Sequence, residues 1–355
     1  KTRNGSNSMM RAFDFLYGNV KETPLDLKNL PLAHLVKDAG KVYARDGWGE
    51  DATWFRFECS DYWNQHQHLE TGNFEIFRYD QLATESGEYK NWSSPHAVNW
   101  LTRTIAHNCL LVAMPGEEWK NYRGGKYFAN DGGQAKKWDT VAANLLEWEL
   151  KKAKFTRGKI TAFENTPGFM YVAGDCSKAY SAKKVRKYVR KIVFLRPGVF
   201  VILDRVEAVK AEYGKTWLLH CKNEPELKKR EFTVKNGEGT LNCYALLPEK
   251  TVFNKIKGYT YGGEDFPETE SALTEAADLW RVEVKPEGSR SEDIFLNVLS
   301  TAGEKKPVLI KKGSAIGVNI DGNEVVFEGE AGGYVLLNNV KYILKEEVIA
   351  GKYEK

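Results

Sequence analysis

Four of the chain's six histidines fall between residues 61 and 112. Imidazole titrates near neutral pH and ligates divalent metals, so this stretch is the best equipped to move protons or hold an ion. In QHQHLETGNFEIF, His66 and His68 are separated by one glutamine. An extended backbone would point both rings to one face, because a strand repeats every two residues. His68, Glu85 and His107 offer two nitrogens and a carboxylate from three segments predicted to be neighbouring strands, a donor set that suits zinc. No compact HExxH or CxxC signature accompanies them. Spacing alone therefore leaves two readings open: a metal site, or histidines hydrogen-bonded on a half-buried sheet face. If His68 is engaged by a metal or a buried partner, His66 still faces a groove and stays available for proton transfer. The acids Glu58, Asp61, Glu70 and Glu75 are nearby and read as the wet face of the strands.

Rings crowd the same region: Trp54, Tyr62, Trp63, Tyr79, Tyr89, Trp92 and Trp100. Exposed rings stack on the apolar faces of sugars and buried ones fill a core, and for any single ring the sequence does not choose. Arg56, Arg78 and Arg103 can bind a carboxylate or sulfate bidentately, although surface arginines usually pair with nearby acids. The expected substrate contacts are Trp63, Arg78, His96 in the loop-like NWSSPHAVNW, and Trp100. His220 sits in WLLHCKNEPEL among core-like Trp217, Leu218 and Leu219 and reads as structural, and His34 has no chemical context.

These residues need a scaffold, and the sequence describes a β one. With 355 residues, 42% hydrophobic and 12% aromatic, the chain can bury a sizeable core. A net charge of +4 with 28% charged residues gives no sign of a general nucleic-acid binder. Five widely spaced cysteines, Cys59, Cys109, Cys176, Cys221 and Cys243, form no disulfide framework and read as small buried thiols. No apolar run reaches the length of a membrane span. The opening KTRNGSNSMMRAFDFLYGN carries no secretory pattern and reads as a segment interior to a longer protein. Within it, SNSMMRAFDFLYGNV predicts a short helix, and VAANLLEWELKK predicts a second. Elsewhere short β-branched or aromatic runs are bounded by Gly, Pro, Asn or Asp, among them KYVRKIVFLRP, GVFVILDRVEA and GTLNCYALLP. NIDGNEVVF predicts a hairpin around Asp321 and Gly322. KIKGYTYGGEDFPETE, residues 255–270, lacks a pattern and predicts a long loop. The fold class expected is mainly β: a large antiparallel multi-sheet sandwich with a short N-terminal helix.

Several blocks in a fixed order add a resemblance. QHQHLETGNFEIF, the QLATESGEY block, TIAHNCLLV, YVAGDCSKAY, KYVRKIVFLRPGVFVILDRV and WLLHCKNEPEL together resemble the β-sheet half of heparinase II/III-like polysaccharide lyases, over roughly residues 40–300. The resemblance implies three parts: a short helix and linker left from a preceding domain (1–30), the sandwich (31–300) and a C-terminal strand extension (301–355). It also implies that His66 is the catalytic histidine, and that His68, Glu85 and His107 hold a zinc or similar ion that organises the site without activating a water. Glu85 stands where the family usually has aspartate, and Glu70 and Cys109 where aspartate and threonine are usual.

The implied reaction is β-elimination in an anionic, uronic-acid-containing polysaccharide, heparin- or heparan-like or alginate-like. The family's tyrosine and carboxylate neutraliser belong to an α/α-toroid that precedes the sheets, for which this chain has no room. The chain by itself is therefore expected to be inactive, and a periplasmic or secreted location follows from the resemblance alone. The modest net charge leans away from a strongly sulfated substrate. Two other classes remain at this point. One is a metal-stabilised sandwich that binds carbohydrate and breaks no bond. The other is a metal hydrolase in which His66, His68 and His107 hold a zinc-bound water, with Glu85 or Glu70 as base.

Overall fold

A computed structural model of the chain describes residues 26–62, 66–90, 92–120, 127–128, 130–135, 142–268 and 279–348. The chain divides into two units, Lys1–Pro31 and Leu32–Lys355. In the first, the described residues form one 3-10 turn, Leu27–Asn29, started by Asp26, whose side chain accepts the Lys28 N–H at 3.0 Å. The helix predicted in SNSMMRAFDFLYGNV lies outside the described residues.

The second unit is built on strands whose two faces are both apolar. In Val199–Ala208, Phe200 and Ile202 turn to one face while Val199, Val201 and Leu203 turn to the other. The neighbouring Val185–Leu195 pairs with it antiparallel, placing Ile192 opposite Ile202 and Val193 opposite Val201. A strand with two buried faces reads as a continuous hydrophobic run, and this sheet is the middle layer of the molecule. It has eight strands, in the order Glu226–Leu227, Glu231–Asn236, Gly239–Leu247, Glu292–Ser300, Val199–Ala208, Val185–Leu195, Phe169–Asp175, Lys159–Asn165.

On one side it meets a five-stranded meander (Ala33–Val36, Lys41–Arg45, Trp54–Glu58, Phe74–Arg78, Asp80–Ala83). Alongside that lies a four-stranded sheet (Thr251–Lys257, Trp280–Pro286, Gly214–Cys221, Leu110–Ala113). Phe55, Phe57, Ile76, Val112 and Trp217 fill this interface. On the other side a C-terminal meander runs from Val308–Lys312 to Val340–Leu344 and contributes Val318, Val325 and Val335. Each fully buried aliphatic or aromatic side chain contributes about 1.5–3 kcal/mol, so the two interfaces dominate stability. The architecture is the multi-sheet antiparallel sandwich that the pattern predicts. All five cysteines are buried free thiols.

The predicted hairpin is present: Ile320 pairs with Asn323, and Asp321 and Gly322 have φ of 53° and 86°, as a two-residue type I′ turn requires. The second predicted helix spans Leu145–Phe155. Asn144 accepts the Glu147 N–H at 2.9 Å, while the Glu147 carboxylate accepts the Ala143 N–H at 2.8 Å, a reciprocal N-terminal cap. The stretch 255–270 departs from the loop expected of it. The strand Thr251–Lys257 enters it, and Thr260–Tyr261 pairs with Glu264–Asp265 around Gly262 and Gly263, both at positive φ. Tyr259, Tyr261 and Phe266 then pack against Trp100 and Ile105, a tertiary contact that local composition could not announce. Among the described residues no helix is long and apolar enough to cross a membrane.

Candidate metal centre and active-site face

The ligand candidates come from loops at strand ends, not from three neighbouring strands as expected. His68 lies between Trp54–Glu58 and Phe74–Arg78, and Glu85 follows Asp80–Ala83. His107 follows the 3-10 turn Thr104–Ala106 and precedes Leu110–Ala113. Backbone and hydroxyl bonds lock these loops together. Leu69 N–H donates to Thr102 O at 3.1 Å, Thr104 Oγ1 to Leu69 O at 2.8 Å, and Thr84 N–H to His220 O at 3.0 Å.

The backbone at His66 is a turn, which corrects the extended pair expected for QHQH. Both imidazoles nonetheless border one ring: His66 lies 5.1 Å and His68 6.4 Å from Trp92, centroid to centroid. Gln67 explains this. Its amide turns inward and donates to Ser60 Oγ at 2.7 Å and to the Asp61 carbonyl at 2.8 Å, so its two neighbours are left on the outer side. His66 is exposed, and His68 is half-buried.

His68, Glu85 and His107 each offer a ligand atom within 4.8 Å of the others. His107 Nδ1 stands 3.9 Å from Glu85 Oε1, and the rings of His68 and His107 are 5.2 Å apart. Ligands about 2.1 Å from one tetrahedral ion stand roughly 3.4 Å apart, so closure on an ion needs shifts of about an ångström. His107 is fully buried, and neither ring nitrogen completes a hydrogen bond. Orphaned buried polar atoms are rare; the Leu101 carbonyl lies near enough to favour an N–H on one ring nitrogen, and a metal would account for the other. Burial, then the fields of His68 and His220, push its pKa well below 6.5. The ring is held neutral, the form that ligates. The residues present fit a zinc-type ion.

Around this trio the acids are not a wet face. Glu58 is fully buried and Glu70 is 8% exposed. The Arg56 guanidinium serves as a hub, with contacts to Glu58 (3.2 Å), Glu70 (2.9 Å), Glu75 (3.1 Å) and Glu85 (3.2 Å). Lys41 adds a second cation on Glu58 at 3.0 Å. Burial opposes the charge on Arg56, but the carboxylates outweigh it and raise its pKa. Burial raises Glu70, Glu75 and Glu85 above 4.5. Four carboxylates against two cationic side chains leave charge for a divalent cation to neutralise. The sequence held one readable trace of this hub: Arg56 and Glu75 are cross-strand partners on adjacent strands. Asn73, which bonds to Glu70 and Glu85, and Asn108, which bonds to Asn73, left none.

The expected substrate contacts fare differently. Trp63 lies outside the described residues. His96 and Trp100 are fully buried, which gives them packing roles in place of direct sugar contact. His96 Nε2 accepts the Glu88 N–H at 3.0 Å, so Nδ1 carries the proton and donates to Phe266 O at 2.6 Å. Trp100 donates to Ser86 Oγ at 3.2 Å under the Arg281 guanidinium. Arg78 donates to the Thr301 carbonyl at 2.9 Å. It stands at the far end of its strand, roughly 17 Å of chain from Asn73. The ring that borders His66 is instead Trp92, half-buried, and Tyr89, 61% exposed, stands 5.9 Å from Trp92. His220 is buried in its strand, its N–H donating to Asn108 Oδ1 at 2.7 Å, and His34 is exposed on its strand.

Comparison with known proteins gives the fold a family. Among solved structures, a heparinase III with methylated lysines superposes with a TM-score of 0.62 at 15% identity, covering 90% of this chain and 46% of that one. The heparan sulfate lyase HepC from Pedobacter heparinus gives 0.59 at 15% identity, covering 91% and 47%. A further heparinase III gives 0.60 at 12% identity, covering 92% and 49%. At these identities the likeness is one of fold, and this chain spans about half the length of each. No match was found among curated protein sequences. A family model described as heparinase II/III-like, C-terminal, matches residues 29–331, and the chain belongs to that family.

Proposed function

We propose that this chain is the β-sheet portion of a polysaccharide lyase that cleaves uronic-acid-containing glycans, heparan-like or alginate-like, by β-elimination. In this reading His66 is the catalytic histidine, and His68, Glu85 and His107 hold zinc or a similar divalent ion. The observation that carries it is the convergence of those three donors within 4.8 Å of one another, with His66 exposed on the rim beside Trp92. The ion supplies a fixed positive charge that holds three loops together. His66 stands next but one to a ligand and is presented to the substrate by that anchoring, with Gln67 turned inward between them.

The reaction removes the proton α to the uronate carboxylate and breaks the bond from the β-carbon to the glycosidic oxygen. The electron pair of the lost C–H bond becomes the new double bond, and the departing oxygen takes up a proton. His66 contributes proton transfer or stabilises the charge that develops. Trp92 and Tyr89 offer ring faces for a sugar at the same rim. The remaining groups, a tyrosine and a carboxylate neutraliser, are assigned to a preceding α/α-toroid domain. Residues 31–300 form the sandwich in this scheme, and 301–355 extend it. A periplasmic or secreted location suits a polymeric substrate of this kind.

The test is the ultraviolet absorbance of the unsaturated uronide released by the full-length protein. Activity that His66→Ala lowers by about 10²–10⁴-fold, with the isolated chain lower by at least as much, is expected. Glycan binding with no unsaturated product would replace the lyase with a carbohydrate-binding protein. Activity of the isolated chain, abolished by a chelator, would point to a metal hydrolase.

A further inference from the structure

Asn73 immediately precedes the strand Phe74–Arg78 and is 1% exposed. Its side chain is fully used. Oδ1 accepts the backbone N–H of Asn108 at 2.9 Å, while Nδ2 donates to Glu85 Oε1 at 3.0 Å and to Glu70 Oε2 at 3.1 Å. Only the carbonyl end of an amide can accept an N–H, so the group has one possible orientation, with both amide protons on carboxylates. Asn108 answers from the other side. Its Nδ2 donates to Phe74 O at 2.7 Å and Thr84 O at 3.1 Å, and its Oδ1 accepts the His220 N–H at 2.7 Å. The two asparagines thus interlock four places in the chain: the start of one strand, the residue before Glu85, the residue after His107 and His220.

We infer that Asn73, braced by Asn108, is a positioning residue of the metal centre, setting the Glu85 carboxylate against the backbone that carries His107. The inference rests on the metal reading proposed above. Without Asn73, Glu85 keeps Arg56 Nη2 at 3.2 Å, a guanidinium it shares with three other carboxylates. Nothing in that shared contact favours the side on which His107 lies. The Asn73 amide supplies that direction and adds no charge. An aspartate there would set a further carboxylate against Glu70 and Glu85. Asn73 does not touch the ion, yet the ion's affinity depends on it through the carboxylate it aims.

The experiment is titration of the metal-free full chain with zinc, followed by cobalt(II), whose visible spectrum reports coordination geometry. Asn73→Ala is compared with His68→Ala, and chelator-treated melts report the fold. The expected result is loss of zinc binding in His68→Ala and zinc affinity about 10–100-fold weaker in Asn73→Ala. The cobalt spectrum of the latter should be altered while its unfolding stays cooperative. If His68→Ala loses zinc but Asn73→Ala binds it within about twofold and gives an unaltered spectrum, the positioning role is overturned and the metal reading stands. A lower melting temperature with normal zinc binding also overturns it, since the role is then structural. If His68→Ala binds zinc like the wild type, the metal reading fails first. Should Asn73→Ala not fold, Asn73→Leu, close to asparagine in shape, is read by the same criteria.

Discussion

Two parts of the molecule, one fully buried and one mostly so, are differently made. Between the eight-stranded sheet and the C-terminal meander, Val201, Leu203, Val318 and Val325 belong to one apolar cluster, with the buried Lys191 at its edge bonded to the Glu328 and Gly329 carbonyls. Around His107, four carboxylates, a guanidinium and imidazoles are brought together, with Glu58, Glu70 and His107 buried and Arg56, Glu75, Glu85 and His68 partly so. In the first region stability comes from area removed from water, spread over many interchangeable side chains. In the second each polar group depends on one or two named partners, and removing one leaves a charge buried without compensation. The contrast separates what the fold needs from what the site needs. An apolar interface requires no cluster of acids, and a site built to hold a cation does.

Breaking each region in turn should give opposite results. His66→Ala in the full-length protein is expected to lower lyase turnover by about 10²–10⁴-fold while leaving bound zinc and melting temperature unchanged. Steady-state kinetics with metal analysis check it, and loss of zinc along with activity would end the division of labour between His66 and His68. Phe200→Ala should do the reverse. Its ring is fully buried, 4.3 Å from Phe194 and 5.2 Å from Phe55. Truncation is expected to cost about 3–5 kcal/mol in denaturant melts, with zinc affinity of the folded chain preserved. A drop in affinity would show that the core and the site are one mechanical unit.

The same contrast explains what could be read beforehand. In VFVILDRVEA and KYVRKIVFL the two-residue period, β-branched side chains and turn residues all agree, so strands, sheet faces and the Asp321 hairpin follow from local rules. The site obeys none of these. His66 and His68 are near neighbours in a turn, but Glu85 and His107 join them only through loops that asparagines and backbone bonds tie down. Order among the recurring blocks pointed to the trio, which spacing did not. The acids beside it resemble a wet strand face until Arg56 is seen among them. His96 and Trp100 resemble surface groups until the Tyr259–Phe266 segment is seen covering them.

A titration separates the regions again, on a smaller scale. Burial, then the charges of Glu58 and Glu85, raises Glu70 above 4.5, and burial likewise raises Glu85. The folded metal-free chain therefore keeps protons at pH values where the unfolded chain has released them. Stability from these groups is present below the unfolded value of 4.5 and declines as pH climbs through the raised folded values. Every tenfold by which folding tightens a carboxyl's hold on its proton makes that decline larger by about 1.4 kcal/mol. Zinc displaces the protons, so its affinity should rise with pH and the loaded chain should lose the decline. Melts across about pH 5 to 8, with and without chelator, check both. The buried neutral imidazoles of His96, His107 and His220 contribute the opposite trend, a gain complete above about pH 6.5, so the carboxyl decline is read above that value, where a flat metal-free profile would mean that Arg56 and Lys41 alone keep the carboxylates ionised.

The smallest effect belongs to neither buried region. Trp92 adjoins both His66 and Tyr89, half-buried, where a ring face can meet a sugar but water still reaches it. Contacts of that kind are worth about 0.5–1.5 kcal/mol, so Trp92→Ala should weaken substrate binding by roughly tenfold or less. The loss should appear in KM, with kcat little changed, and Trp92→Phe should recover much of it. Stacking acts alike on ground and transition states, whereas a proton-transferring group acts on the transition state alone. A fall in kcat as large as that of His66→Ala would therefore move Trp92 from sugar platform to support of the His66 ring, 5.1 Å away.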